Sequence, residues 1–358
     1  MHGRKNELLL RYKAEIRLNS FVRIPRINSG VHKIEMHPSY FCRLPWAEFS
    51  MKIVRVGVVQ ATPVLFDLEK SVDLVIGWIG QGAEAGCQLL LFPESFIPCY
   101  PRGLTFEAII GRRTDRGREQ WLDYWTNSVE VESDGIARIS EAIKKAGIMV
   151  ALGVTEKEPI GGSLHCTLLY FGKDGTLLGK HRKLKPTGLE RYIWGESDGS
   201  SLVSFDTGLG RVGGLICWEN YMPLARTALY QKGIEIYLAP TADTRDSWQA
   251  TMQHIALEGR CFVLASNQFV RKSDYPDRYQ PDLLNEPNIM SRGGSVIISP
   301  MGEILAGPLW NQEGLLTADL DFSVLAKSKL DFDCVGHYAR PDVFQLTVTN
   351  QPETLKIN

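Results

Sequence analysis

From Met51 onward the chain alternates between two hydrophobic periods. Short apolar runs rich in Val, Ile and Leu read as strands buried on both faces. Between several of them lie stretches with apolar residues three and four apart, the period of an amphipathic helix. The pattern predicts strand 53–60, helix 67–85 and strand 88–92, which ends at Pro93-Glu94. Helices 116–128 and 135–146 precede strand 148–154. Strands 164–171 and 176–182 flank Lys173-Asp174-Gly175, a hairpin turn signal. Strand 201–206 pairs with 211–216 through Thr207-Gly208-Leu209-Gly210. Helix 223–232, strand 234–239, helix 247–259 and strand 261–267 follow. The polar stretch 271–292, with Pro276, Pro281 and Pro287, reads as a long surface loop. Strands 294–299 and 303–307 form a hairpin around Pro300-Met301-Gly302. Strand 314–319 and a short helix at 322–329 complete the pattern, and the chain is irregular from 330 on.

Strands alternating with helices, with added hairpins, predict an α/β fold: a mixed sheet with helices on its outer faces. No break in composition divides 51–330, which reads as one domain. Residues 1–50 differ. They show no sustained apolar period and hold nine Lys and Arg against four Asp and Glu, while the rest of the chain is negative. They are expected to be an N-terminal extension outside the core, with Met51 a candidate for the true start. Residues 331–358 read as a C-terminal tail.

Composition narrows the class. Of 358 residues, 44% are hydrophobic and 23% charged, the balance of a soluble globular protein. The net charge of −1 gives no electrostatic pull toward nucleic acid or an anionic membrane surface. No apolar run approaches the roughly 18 residues that span a bilayer. The seven cysteines are scattered and odd in number, with no C-x-x-C pair. They read as reduced thiols in a cytoplasmic protein and not as a disulfide framework or zinc site.

Three stretches could carry chemistry. In Gly213-Gly214-Leu215-Ile216-Cys217-Trp218-Glu219-Asn220, an apolar run stops abruptly at Cys217, and a helical stretch opens at Pro223. A lone cysteine after such a run is commonly a small core residue. At a strand-to-helix bend, however, free backbone N–H groups suit a nucleophilic thiol. Glu94 lies just past an apolar strand, between Phe92 and Phe96. There it is either a solvated or capping carboxylate, or a partly desolvated general base with a raised pKa. The run Lys180-His181-Arg182-Lys183-Leu184-Lys185 is either a solvated face or the source of an inward lysine that stabilises an anionic intermediate. Glu190 follows at a distance that lets it fold back beside that lysine.

FPESFIPCYPRG (92–103), HRKLKPTGLER (181–191), IWGESDGS (193–200), CWENYMPLAR (217–226) and GIEIYLAPTADTRDSWQATMQHIALEGRCFVLASNQF (233–269) together resemble the nitrilase branch of the nitrilase, or carbon–nitrogen hydrolase, superfamily. The similarity runs from about 51 to 345 and is closest to plant-type and related microbial nitrilases. It implies a four-layer α-β-β-α sandwich that dimerises into eight layers and extends in some members to spirals. The helices at 223–231 and 247–259 are then the implied dimer face, with the tail at the oligomer interface. It implies Cys217 as nucleophile, Glu94 as general base and Lys183 as stabiliser of intermediates, with Glu190 positioning Lys183 and assisting proton transfer. The implied reaction takes an organic nitrile to a carboxylic acid and ammonia through a thioimidate and a thioester, with no metal or organic cofactor. Trp218, Trp194, Tyr100 and Glu219 are the expected substrate-binding residues. Cyanide hydration or dihydration and superfamily amide hydrolysis use the same four residues, although CWEN is the nitrilase form. A filament-forming scaffold of the same fold is the non-enzyme alternative, and the complete set of four residues argues against it.

Other signals carry less. Gly208-Leu209-Gly210-Arg211-Val212-Gly213 matches G-x-G-x-x-G, but an apolar strand follows where a dinucleotide site needs a helix. His165, Cys166, His254 and His337 are too scattered for a metal set. His181 adjoins the lysine strand and either tunes the site or is structural, the structural role being favoured, and Cys99, near Glu94, is a candidate to line the pocket without acting as nucleophile. If 1–50 is an appendage, a chain started at Met51 keeps its thermal melting temperature and its activity. Loss of either in the truncated protein contradicts that reading.

Overall fold

The computed structural model describes residues 52–349, so the expected extension at 1–50 and the end of the tail lie outside the described residues. The strands are Ile53–Gln60 (β1), Leu89–Leu91 (β2), Met149–Lys157 (β3), Leu164–Phe171 (β4), Leu177–Arg182 (β5), Phe205–Asp206 (β6), Arg211–Gly214 (β7), Ile236–Thr241 (β8), Phe262–Asn267 (β9), Phe269–Arg271 (β10), Ile289–Ile298 (β11), Ile304–Trp310 (β12) and Gly314–Asp321 (β13). The α-helices are Leu68–Glu84 (α1), Asp115–Thr126 (α2), Asp134–Ala146 (α3), Pro223–Gln231 (α4), Asp246–Gly259 (α5) and Ser323–Ser328 (α6).

The strands form two sheets where the pattern alone suggested one. One runs β13-β1-β2-β3-β4-β5; the other runs β10-β11-β9-β8-β7-β6, with β12 on β11. Each has a parallel centre, β1-β2-β3 and β7-β8-β9, and antiparallel flanks. Period-two alternation sorts the side chains into layers. Val56, Leu89, Leu91 and Leu168 of the first sheet meet Ile216, Ile236, Leu238 and Leu264 of the second in a central core. On the outer face of the first sheet, Val72, Val75 and Ile79 of α1 and Ile136, Ile139 and Ile143 of α3 pack on Leu90, Val150 and Leu152. On the outer face of the second, Leu229 of α4 and Trp248, Met252 and Ile255 of α5 cover Leu215, Tyr237 and Val263. The layers are α-β-β-α, as the sequence resemblance implies.

Local signals explain the helix ends. Asp67 caps α1 by accepting from the Lys70 N–H at 3.0 Å. Gly147 ends α3 in the left-handed region at φ 67°. Pro223 occupies the first turn of α4, where its missing N–H costs nothing.

The structure corrects some expectations. Strand 201–206 is reduced to Phe205–Asp206, because a 3-10 turn at Gly199–Ser201 is capped by Asp198. The stretch 271–292 is not a surface loop. It holds the last residue of β10, two 3-10 segments and the start of β11, with Tyr275, Tyr279 and Leu283 buried. Tyr279 stacks on Phe66 at 4.5 Å, and the Tyr275 hydroxyl donates to the Arg102 carbonyl at 2.7 Å. The three prolines masked a real four-residue apolar spacing.

Glu156 ties β3, β4 and β5 together. Its buried carboxylate accepts from Thr167 Oγ1 at 2.9 Å, Arg182 Nη2 at 2.7 Å and Lys180 Nζ. Burial opposes its charge, but the Arg182 and Lys180 partners outweigh that and hold it at about 2 against an ordinary 4.5. A depressed folded-state value stabilises above 4.5, and the contribution disappears as pH falls through about 2. The gap is worth at most about 3 kcal/mol. Glu156→Gln is therefore expected to lower urea-unfolding stability at pH 7, with a deficit that shrinks steadily below pH 4.5. A deficit independent of pH contradicts the assignment.

Candidate active site

Strand register brings the candidate residues to one end of both sheets. Glu94 lies three residues past the end of β2, and Lys183 one residue past β5. Cys217 lies three residues past β7. All three leave carboxyl ends of strands, where an α/β sheet opens its crevice. Glu94 and Lys183 come from the first sheet and Cys217 from the second.

Cys217 is buried and adopts φ 51°, a left-handed conformation that a cysteine holds at a cost of about 1–3 kcal/mol. It opens a 3-10 segment, Cys217–Tyr221, so the Trp218 N–H has no acceptor within that helix. Asn220 secures the bend: its Nδ2 donates to the carbonyls of Leu215 and Cys217 at 3.0 and 2.8 Å. Gly214 lets β7 approach β8 this closely, since a Cβ there would lie 1.9 Å from the Leu238 carbonyl oxygen.

The Lys183 ammonium sits between two carboxylates. It donates to Glu94 Oε1 at 2.6 Å and to Glu190 Oε2 at 2.7 Å, and all three residues are buried. Burial disfavours its charge, but Glu94 leads the acidic partners that hold its pKa well above the ordinary lysine value. Glu94 shows the reverse. Burial raises its pKa, with Glu190 adding repulsion and Lys183 opposing both. Its fixed partners converge on one oxygen, because Cys166 Sγ also approaches Oε1, at 3.5 Å. Oε2 is buried without a hydrogen-bond partner. The Cys217 thiol stabilises the charged form of Glu94, while burial and the Glu94 charge push the thiol upward in pKa. Burial therefore favours the neutral thiol at Cys217.

Glu190 is fully engaged. Oε1 accepts from the Tyr100 hydroxyl at 2.7 Å, and Oε2 accepts from Lys183 and from the Thr187 N–H at 2.7 Å. The Glu94 loop is seated on β3 at Gly153, where a Cβ would lie 2.0 Å from the Pro93 carbonyl oxygen. Gln268 Nε2, from the second sheet, donates to the Glu94 carbonyl at 2.8 Å.

The expected pocket residues divide. Tyr100 borders a cleft of about 230 Å³ that also meets Glu190, Arg102 and Tyr192. Trp194 is a buried wall whose ring lies 5.6 Å from the Lys183 ammonium and 5.8 Å from the Tyr100 ring. Trp218 is partly exposed, with Nε1 donating to Asp243 Oδ2 at 2.9 Å. Glu219 is not pocket-facing. Its buried carboxylate accepts from His181 at 2.9 Å, the Leu184 N–H at 2.6 Å and the Ile216 N–H at 2.7 Å, so no oxygen is left for a ligand. It links the lysine segment to the cysteine bend, and His181 serves that link. Cys99 is fully buried.

The carbon–nitrogen hydrolase family profile matches residues 55–329. The chain belongs to the carbon–nitrogen hydrolase family. It is 48% identical over 301 residues to an aliphatic nitrilase of Sinorhizobium fredii, covering 84% of this chain and 97% of the relative. It is 49% identical to a bifunctional nitrilase/nitrile hydratase of Nicotiana tabacum, covering 84% and 87%. Nitrilase 1 of Arabidopsis thaliana is 47% identical, covering 84% and 88%. Among solved structures, Caenorhabditis elegans NitFhit superposes with a TM-score of 0.65 at 20% identity, covering 85% of this chain and 69% of that one. A Helicobacter pylori carbon–nitrogen hydrolase gives 0.62 at 19%, covering 77% and 92%. At such identities these structures speak for the fold alone.

Sequence reasoning missed Thr241, Asp243 and Gln268, and it set Cys166 aside as too scattered for a metal set. Thr241 and Asp243 lie within the 233–269 stretch, where only strand register could have singled them out. Cys166 and Gln268 meet Glu94 solely through tertiary packing.

Proposed function

We propose that this carbon–nitrogen hydrolase is a nitrilase that converts an organic nitrile to its carboxylic acid and ammonia. The observation that carries the reading is the buried Cys217–Glu94–Lys183 cluster, with one oxygen of Glu94 unpaired, in a chain nearly half identical to named nitrilases.

The chemistry follows from the geometry. As Cys217 Sγ attacks the nitrile carbon, its proton passes to Glu94 and on to the nitrile nitrogen, giving a thioimidate. A water gives a proton to Glu94 and adds to the carbon. The C–N bond then breaks, ammonia leaves with that proton and the proton of the newly added hydroxyl, and a thioester remains. A second water adds the same way, the C–S bond breaks, and the acid and the free thiol result. If the C–S bond of the first tetrahedral intermediate breaks instead, the product is an amide. Lys183 and the Trp218 N–H offset charge as it builds on the substrate. Glu190, with every oxygen committed, acts by holding Lys183. Trp194, Tyr100 and Trp218 contribute aromatic surface to the substrate site.

The same reading extends to assembly. Residues 51–330 form the catalytic domain, 1–50 an extension, and 331–358 a tail. A homo-oligomer built on an eight-layer dimer is supported by Leu224 on α4 and Leu257 on α5, which are exposed apolar residues on one outer layer. Tyr338 and Phe344 of the tail are exposed as well. A cytoplasmic location fits the described cysteines, all free thiols. Among the described residues no helix is long and apolar enough to cross a membrane.

Ammonia release from a panel of aliphatic and aromatic nitriles, cyanide and matched amides tests the function. Nitriles are expected to turn over, with Cys217→Ala reducing the rate at least a thousandfold. Turnover of amides alone would overturn the reading, and full activity of Cys217→Ala would overturn the mechanism. In sedimentation velocity at micromolar concentration the protein is expected to run as a dimer or larger species. A monomer would remove the assembly proposal.

A further inference from the structure

Thr241 closes β8 at the level of the nucleophile. The parallel register pairs Gly214 of β7 with Leu238 of β8. Counting three residues on from each sets Cys217 beside Thr241. The side chains meet: Thr241 Oγ1 donates to Cys217 Sγ at 3.2 Å. Thr241 is buried, so bulk water does not compete for that hydrogen bond.

The other partner of the hydroxyl agrees with that direction. The Asp243 N–H donates to Thr241 Oγ1 at 2.9 Å, so the oxygen accepts there and its own proton is left for the sulfur. Asp243 is itself held firmly. Its Oδ1 accepts from the Arg245 N–H at 3.0 Å, its Oδ2 from Trp218 Nε1 at 2.9 Å, and its carbonyl from Asn267 Nδ2 at 2.8 Å. The Arg245 guanidinium completes this clamp, pairing with the Asp243 carboxylate and lying 4.8 Å from the Trp218 ring. The clamp joins β8 to the indole that follows the nucleophile and orients a single O–H toward Sγ.

We propose that Thr241 is a further catalytic residue, whose hydroxyl hydrogen-bonds the Cys217 sulfur whenever that sulfur carries negative charge. The proposal rests on the nitrilase reading for its substrate, although the contact itself does not. Charge develops on sulfur twice. In the attack the S–H bond breaks, its proton passes to Glu94, and the sulfur electrons form the bond to the nitrile carbon. In the last step the tetrahedral adduct of the thioester collapses. The C–S bond breaks, sulfur takes the electron pair, and the proton held by Glu94 returns to sulfur as the acid departs. Thr241 keeps its proton throughout. Lys183 is committed to the two carboxylates, and the thiol lies in surroundings that disfavour its anion. A neutral donor aimed at sulfur lowers the barrier without adding a second buried charge.

Thr241→Val keeps the β-branched shape and removes only the hydroxyl. Two readouts are made on the purified protein: the pH profile of Cys217 alkylation by iodoacetamide, followed by intact mass, and steady-state hydrolysis of a nitrile. The expected result is a displacement of the alkylation profile to higher pH by about one unit and a fall in kcat of about ten- to a hundredfold. Thr241→Ser is expected to restore most of both. A folded Thr241→Val with an unchanged profile and kcat within about twofold of the parent overturns the proposal. If valine lowers the melting temperature, Thr241→Ala gives the same two readouts with no added bulk. A displaced profile in a protein that hydrolyses no nitrile would overturn the proposed function while upholding the Thr241–sulfur contact.

Discussion

The structure depends on one buried ammonium. Lys183 lies out of water with Glu94 on one side and Glu190 on the other. An unpaired charge at such a depth costs several kcal/mol, and taking away one partner of a buried pair typically costs about 3–5 kcal/mol. The surroundings of Lys183 serve to keep the triad complete. Glu156 fastens β5, the strand that delivers the lysine. The Thr187–Glu190 turn and the Tyr100 hydroxyl fix the second carboxylate. Gly153 and Gln268 seat the first. Such an arrangement adds little net stability, because desolvation consumes most of the Coulombic gain. What it provides is a fixed field in which one carboxylate oxygen stays unpaired beside a thiol.

That field is assembled across two sheets. Glu94 and Lys183 belong to the first and Cys217 to the second, so the site exists only when the central core holds the sheets in register. The Glu219 carboxylate bridges the division at its most sensitive place, taking N–H groups from the lysine segment and from the residue before Cys217. The left-handed backbone at Ser95 and at Cys217 falls on the two loops that carry Glu94 and Cys217. Strain of this kind persists where surrounding contacts over-determine the loop. Here the contacts are Asn220 beneath the cysteine and the Ser95–Thr155 hydrogen bond of 2.6 Å beneath the glutamate loop.

Much of this was legible in the chain before any coordinates. Period two and period 3.6 placed nearly every strand and helix, since those spacings are imposed by backbone geometry and need no knowledge of neighbours. Glu94, Lys183, Glu190 and Cys217 stand at strand and turn ends that the pattern marks directly, and the motifs around them carried the family resemblance. The stretch 271–292 was misread because its prolines interrupt a recognisable period. Its apolar residues declare themselves only when Tyr275 and Tyr279 find Phe66 and Arg102.

The sequence by itself determined the elements, which are written in local spacing, and the likeness to carbon–nitrogen hydrolases, which singled out Glu94, Lys183, Glu190 and Cys217 as candidates. The tertiary structure alone decided which strands pair within each of the two sheets, that Glu219 is consumed in holding the bend, and that Thr241 stands level with the sulfur. Those facts depend on which strands become neighbours and in what register. Register is set by side-chain packing between segments far apart in the chain, and no local period records it.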